Sequence, residues 1–190
     1  MKRCVRGILF VDYVRMLRRL KLVDWSRHLP PEDVALLAQQ IDNDAWYPMA
    51  TFERFGNAIL QNVAQGQMAM VQMWGRYSAG QLRAANPTLL APDDPIETLH
   101  RFTILRKTFF DFEALHIPLL HEGEANIQIA YFMGMPAEEA ASFQTLGFFE
   151  GLLELAGARA IEGRFRSRSW AGGEGRTVAE LRWEPPKGVS

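Results

Sequence analysis

The sequence predicts an α+β fold in which a helical amino-terminal half packs on a four-stranded antiparallel sheet made of two hairpins joined by a helix. Three observations carry this prediction. Apolar residues recur at helical spacing in successive stretches between Phe10 and Phe110. The period falls to two from Leu115 and again from Ile161, as in half-buried strands. Between those stretches, Ala137 to Ala156 returns to the helical period and stops at Gly157, a residue suited to a helix end.

The elements follow in order. Phe10, Tyr13, Val14, Leu17 and Leu20 form the apolar stripe of a first helix, with Asp12, Arg15 and Arg19 opposite. Leu29-Pro30-Pro31-Glu32-Asp33 starts a second, because proline suits the first turn and acids suit the positive end of the dipole. Val34, Leu37 and Ile41 continue it to an expected end near Asp42-Asn43. Trp46-Tyr47-Pro48 is read as opening a third helix, carrying Phe52, Phe55, Ile59 and Val63 and stopping at Gly66. Val71, Trp74, Ser78 and Leu82 mark the packed side of a fourth. The turn formers from Asn86 to Pro95 make a loop, after which Asp94-Pro95 caps a helix from Ile96 to about Phe110 that is apolar on more than one side and therefore central.

Strand alternation then begins, turns at His121-Glu122-Gly123-Glu124, and returns through Ile127, Ile129, Tyr131 and Met133. In the joining helix Phe143, Leu146, Gly147, Leu153 and Ala156 share an apolar face, with Gly147 and Gly151 expected to let it approach a sheet closely. Glu138 and Glu139 favour that helix's start. The second hairpin places Ile161 and Phe165 on one face and Glu162, Arg164, Arg166 and Arg168 on the other. Its partner strand sets Thr177, Ala179, Leu181 and Trp183 against Arg176, Glu180, Arg182 and Glu184. The loop Trp170 to Gly175 supplies the glycines of a hairpin turn. The arginine row is expected to pair with Glu180 and Glu184 rather than to receive an external anion. The chain reads as a single domain, 1–190, with a helical part at 5–112, a sheet-and-helix part at 113–184 and a tail at 185–190.

Composition bounds the chemistry. With 190 residues, 48% of them hydrophobic, the chain can bury a sizeable core. Its net charge of −1 gives no bulk field for nucleic acid, and no nucleic-acid partner is expected. A single cysteine, Cys4, excludes an internal disulfide and a cysteine-built zinc site, and suggests a reducing, cytoplasmic setting. Charges at Asp12, Arg15, Arg18, Arg19 and Lys21 interrupt any signal or membrane-spanning segment near the start. His28, His100, His116 and His121 fall in no close-spaced metal pattern, and neither a nucleophile elbow nor a phosphate loop is found. No catalytic constellation, metal or cofactor is therefore expected.

Five stretches, Val5-Arg6-Gly7-Ile8 at the head of the first helix, Leu29 to Asp33, Trp46 to Pro48, Thr108-Phe109-Phe110-Asp111-Phe112, and Phe148 to Ala158, carry a resemblance when taken in order. From about Val5 to Trp183 the chain resembles the haem-NO-binding, 4-vinyl-reductase and TRAPP-subunit ligand-binding superfamily, and within it the uncharacterised myxobacterial paralogue family. The resemblance implies an apolar ligand site between the helices and the sheet. Haem-NO-binding domains use a histidine on the helix before the first hairpin, a place His100 occupies, and a Tyr-x-Ser-x-Arg motif that holds the propionates. Here the matching stretch is Tyr131-Phe132-Met133-Gly134-Met135, so the tyrosine is kept while the serine and arginine are not. Two carboxylates entering an apolar pocket without that arginine would be costly. The cysteines common around the last hairpin of vinyl-reductase domains are also absent from Arg166 to Leu181.

The expected function is a non-enzymatic small-molecule-sensing or protein-interaction module, the alternative being a haem-based gas or redox sensor using His100 with Tyr131. Trp46, Trp74, Phe102, Phe109, Phe110, Met133, Met135 and Phe149 are the candidate lining of the apolar pocket, with core packing as the competing role for each. The partners implied are an apolar small molecule or lipid, or a protein partner, including a second copy of the chain.

Overall fold

The computed structural model describes residues 2–172 and 175–187. Its elements run β1 (Cys4–Arg6), α1 (Gly7–Arg19), α2 (Pro31–Ala38), β2 (Trp46–Pro48), α3 (Met49–Asn62), α4 (Met68–Ala85), α5 (Pro95–Leu105), β3 (Leu115–His121), β4 (Glu124–Ile129), α6 (Ala137–Leu155), β5 (Arg159–Ser167) and β6 (Thr177–Glu184). The fold class is the expected one. The main sheet is antiparallel in the order β3-β4-β6-β5, so α6 joins two hairpins whose second strands pair with each other, Ile127 opposite Ala179 and Ala125 opposite Leu181.

The helical half differs from expectation at its short segments. Val5-Arg6 and Trp46-Tyr47-Pro48 do lead into α1 and α3, with Arg6 and Pro48 as the N-cap residues, but they are themselves extended: β1 and β2 form an antiparallel ribbon, with Val5 opposite Tyr47. Val, Trp and Tyr favour extended backbone, and a residue before proline is pushed away from the helical region. A three-residue strand is too short to show a period of two. Helix α2 ends at Ala38, earlier than Asp42-Asn43, and Ile41 is buried from the connecting segment. Helix α3 ends at Asn62, and Gly66 serves the following turn with φ +76°. Helix α5 stops at Leu105, so Phe109 and Phe110 enter the core from a 3-10 turn at Arg106–Thr108, while Ile104 stands 73% exposed. Its start is as predicted: the Asp94 carboxylate accepts from the Glu97 N–H at 2.8 Å. Asp33 does more than favour the start of α2. It is buried and takes two hydrogen bonds from the Arg54 guanidinium, tying α2 to α3.

Helix α6 is covered on two sides. The glycines meet a helix rather than the sheet: a Cβ on Gly147 would lie 1.8 Å from the Gln72 carbonyl oxygen, and one on Gly75 would lie 2.0 Å from the Gln144 carbonyl oxygen. The close approach is therefore between α4 and α6. Contact with the sheet runs instead through Leu146 and Phe143, the latter edge-on to Phe165 at 5.0 Å. Glu138 is buried, accepts from the Met133 N–H at 2.8 Å and the Ser169 hydroxyl at 3.3 Å, and is pushed up by that burial.

The sheet faces are those the alternation gives. Ala179, Leu181 and Trp183 point inward, whereas Ile161 and Phe165 share that face but are only half-buried because β5 is the edge strand. On the outer face Arg164, Arg166 and Arg182 converge on Glu180, which is 1% exposed. In the hairpin loop, Ser169–Ala171 forms a 3-10 turn and Gly172 has φ +86°; Gly173 and Glu174 lie outside the described residues, as do residues 188–190 of the tail. Among the described residues, no helix is long and apolar enough to cross a membrane.

Candidate functional site

A cavity of about 410 Å³ lies where α1, α4, α5, β3 and α6 converge. Each element reaches it for a local reason. Helix α1 turns Ile8, Leu9 and Tyr13 toward it, and Asp12 and Arg15, paired at 2.9 Å, lie on its lining beside them. Helix α5 contributes Phe102, and the break that ends α5 brings in Phe109 and Phe110. Helix α6 presents Ala141, Gln144, Thr145 and Phe148, a set spaced three, four and seven residues apart and so on one helical face. Helix α4 supplies Ser78, Gln81, Leu82 and Ala85.

Aromatic rings dominate the interior. Phe102 lies 5.2 Å from Phe148, and Phe110 lies 5.6 Å from Tyr131, in tilted arrangements that offer both faces and edges. Three hydroxyls, those of Tyr13, Tyr131 and Thr145, sit among them. Thr145 donates to the Ala141 carbonyl at 2.8 Å, so in the 2.7 Å pair with Thr145 the donor is Tyr131. Tyr13 donates to Oε1 of Gln144 at 2.5 Å. Burial pushes both phenols well above their ordinary range, so both are neutral at physiological pH.

Four of the residues singled out in the sequence line this cavity: Phe102, Phe109, Phe110 and Tyr131. Trp74 and Met133 instead line a smaller adjoining void of about 20 Å³, room for one water, which shares Tyr13, Phe52 and Gln144 with the main cavity. Phe149 is fully buried and edge-on to Phe102 at 5.0 Å, a core residue. Trp46 is 43% exposed beneath the Arg6 guanidinium, and Met135 is 55% exposed; neither lines the cavity, because the chain around them is in the β1–β2 ribbon or the turn after Tyr131. His100 is exposed on α5 and does not line it either, since the helix turns Leu99 and Phe102 inward. Tyr13, Phe52, Gln144, Thr145 and Phe148 were not recognised as a lining set from sequence. The available signal was the face Ala141-Gln144-Thr145, small or polar where a filled core would be bulky and apolar. Among the described residues no group of three His, Cys, Asp or Glu is placed to hold a metal ion.

No family model matches the sequence, and no curated protein matches it. Solved structures do. The chain is similar to an Fe(II) unliganded H-NOX protein from K. algicida, at 12% identity and TM-score 0.65, covering 97% of this chain and 100% of that one. It is also similar to an H-NOX protein from S. oneidensis in the Fe(II)NO ligation state, at 12% identity and TM-score 0.62, covering 94% of this chain and 99% of that one. At such identity the likeness is one of fold: this is the haem-NO-binding fold, as the resemblance implied.

Proposed function

We propose that this chain is a cytoplasmic, non-enzymatic small-molecule-sensing domain that uses the haem-NO-binding fold without haem, near the myxobacterial paralogues it resembles. The observation that carries the reading is the chemistry of the cavity lining, which has phenylalanine and tyrosine rings and, among the described residues, no histidine, cysteine or methionine. Haem would need an axial donor and cations for its propionates. His100 lies outside the cavity, with Phe102 turned inward in its place. The Tyr13 and Tyr131 hydroxyls are already engaged with Gln144 and Thr145. Arg15 is already paired with Asp12, while Arg106 donates to the Leu115 carbonyl and faces Glu113 at 3.7 Å. The residues present therefore do not fit haem. An apolar organic molecule fits them better, in a volume within the ~300–1,000 Å³ range of small-molecule sites. The cytoplasmic assignment rests on the single cysteine.

Native mass spectrometry of protein purified from its own host tests this reading. We expect a copurifying apolar molecule, lost in an Ala141→Phe variant that fills the cavity from α6. A stoichiometric protein partner with no small molecule in the parent would replace sensing by an adaptor role, for which Met73 and Tyr77, exposed four residues apart on α4, offer one surface. Turnover dependent on one side chain would contradict both.

A further inference from the structure

We infer that the cavity selects a neutral, planar, largely apolar molecule carrying a hydrogen-bond acceptor, such as a carbonyl oxygen, which takes an N–H from Gln144. The inference rests on the ligand-binding reading above and specifies its ligand. Gln144 is half-buried on α6 and lines both the main cavity and the smaller void. The Tyr13 hydroxyl donates to its Oε1, which fixes the amide and leaves the two hydrogens on Nε2 with no protein acceptor among the described residues.

The other hydroxyls on the lining are committed, and the second lining amide, Gln81 on α4, has no side-chain hydrogen bond among the described residues to fix it. Tyr131 donates to Thr145, Thr145 to the Ala141 carbonyl, and Ser78 to the Gly75 carbonyl at 2.7 Å. What the polar end offers is thus the Gln144 amide, held in place by Tyr13 and with no protein acceptor for its Nε2 hydrogens among the described residues. Charge narrows the class further. The only ions on the lining, Asp12 and Arg15, neutralise each other, so a carboxylate reaching Gln144 would lose its hydration with no cation in exchange, and an ammonium would find no anion. Shape completes it: Phe102 and Phe148 on one side and Phe110 and Tyr131 on another present ring faces suited to a flat body.

The test uses three probes with one skeleton, acetylnaphthalene, ethylnaphthalene and naphthoate, titrated calorimetrically into the full chain and into a Gln144→Met variant. In the parent the ketone should bind about three- to tenfold more tightly than the hydrocarbon, the contribution of one neutral hydrogen bond. Naphthoate should bind weakest. In Gln144→Met the advantage of the ketone should vanish while ethylnaphthalene affinity holds. Equal binding of ketone and hydrocarbon in the parent, survival of the advantage in the variant, or tightest binding by naphthoate would overturn the inference and leave the apolar cavity standing. Failure of all three probes to bind the parent would overturn both. Should the variant not fold, the order of the three affinities in the parent decides alone.

Discussion

Glu180 shows how much one side chain in the sheet depends on its neighbours. It sits on the outer face, yet Arg164, Arg166 and Arg182 cover it, and hydrogen bonds from Arg164, then Arg166, hold its carboxyl down at about 2. An ordinary glutamate titrates near 4.3, so the unfolded chain binds the more protons between those values. The pairing therefore stabilises the fold fully above about pH 4.3, and the gain is lost as pH falls toward 2. Glu180→Gln should flatten the acid limb of a stability-against-pH curve in that window, read by denaturant titration at successive pH values; an unchanged slope would mean the arginines do not act through this carboxylate. The pairing of Arg164 and Arg166 with Glu180 was legible, because alternation alone puts them on one face, whereas Glu184 pairs with Arg159 and Arg168 lies over the Phe165 ring. That three arginines would share one acid was not, since strand register is set by the turn and by bulges that leave no local sequence mark. His100 is a similar case: residue type was visible, but its direction depended on where α5 ends and which side it packs.

Among the elements, the contact between α4 and α6 tolerates least change. Gly147 faces backbone rather than a movable side chain, so a methyl there must push the two helices apart. Gly147→Ala should cost about 3 kcal/mol in a denaturant titration. Gly80→Ala on the open side of α4, where nothing lies within 4 Å of the added carbon, should instead gain up to about 1 kcal/mol from helix propensity. Equal effects at the two positions would show that the helices do not meet as described. Long elements with many periods, α1, α4, α6 and the β5–β6 hairpin, were legible in outline. The β1–β2 ribbon was not, because three-residue strands exist through a partner about forty residues away rather than through any local pattern. The partner of Gly147 was also missed: two small residues a turn apart announce a close approach without saying whether a sheet or a helix is on the other side.

At the scale of the molecule, the order of elements was enough to anticipate the fold, while the cavity was only half visible. Its lining is drawn from six separated segments, and large apolar residues that fill the core look the same in sequence as those that border a void; Phe149 and Phe102 differ only in which way α6 and α5 turn them. The central claim is that a fold shared with H-NOX proteins here forms an apolar cavity that does not hold haem. It is tested most directly by the visible spectrum of the protein produced with ample haem, compared with a His100→Ala variant and with bound haem quantified per chain. The account predicts no stoichiometric Soret band in either protein, and His100→Ala within about 0.5 kcal/mol of the parent in stability, as for an exposed side chain. One haem per chain in the parent, with a Soret band that shifts or disappears in His100→Ala, would contradict it.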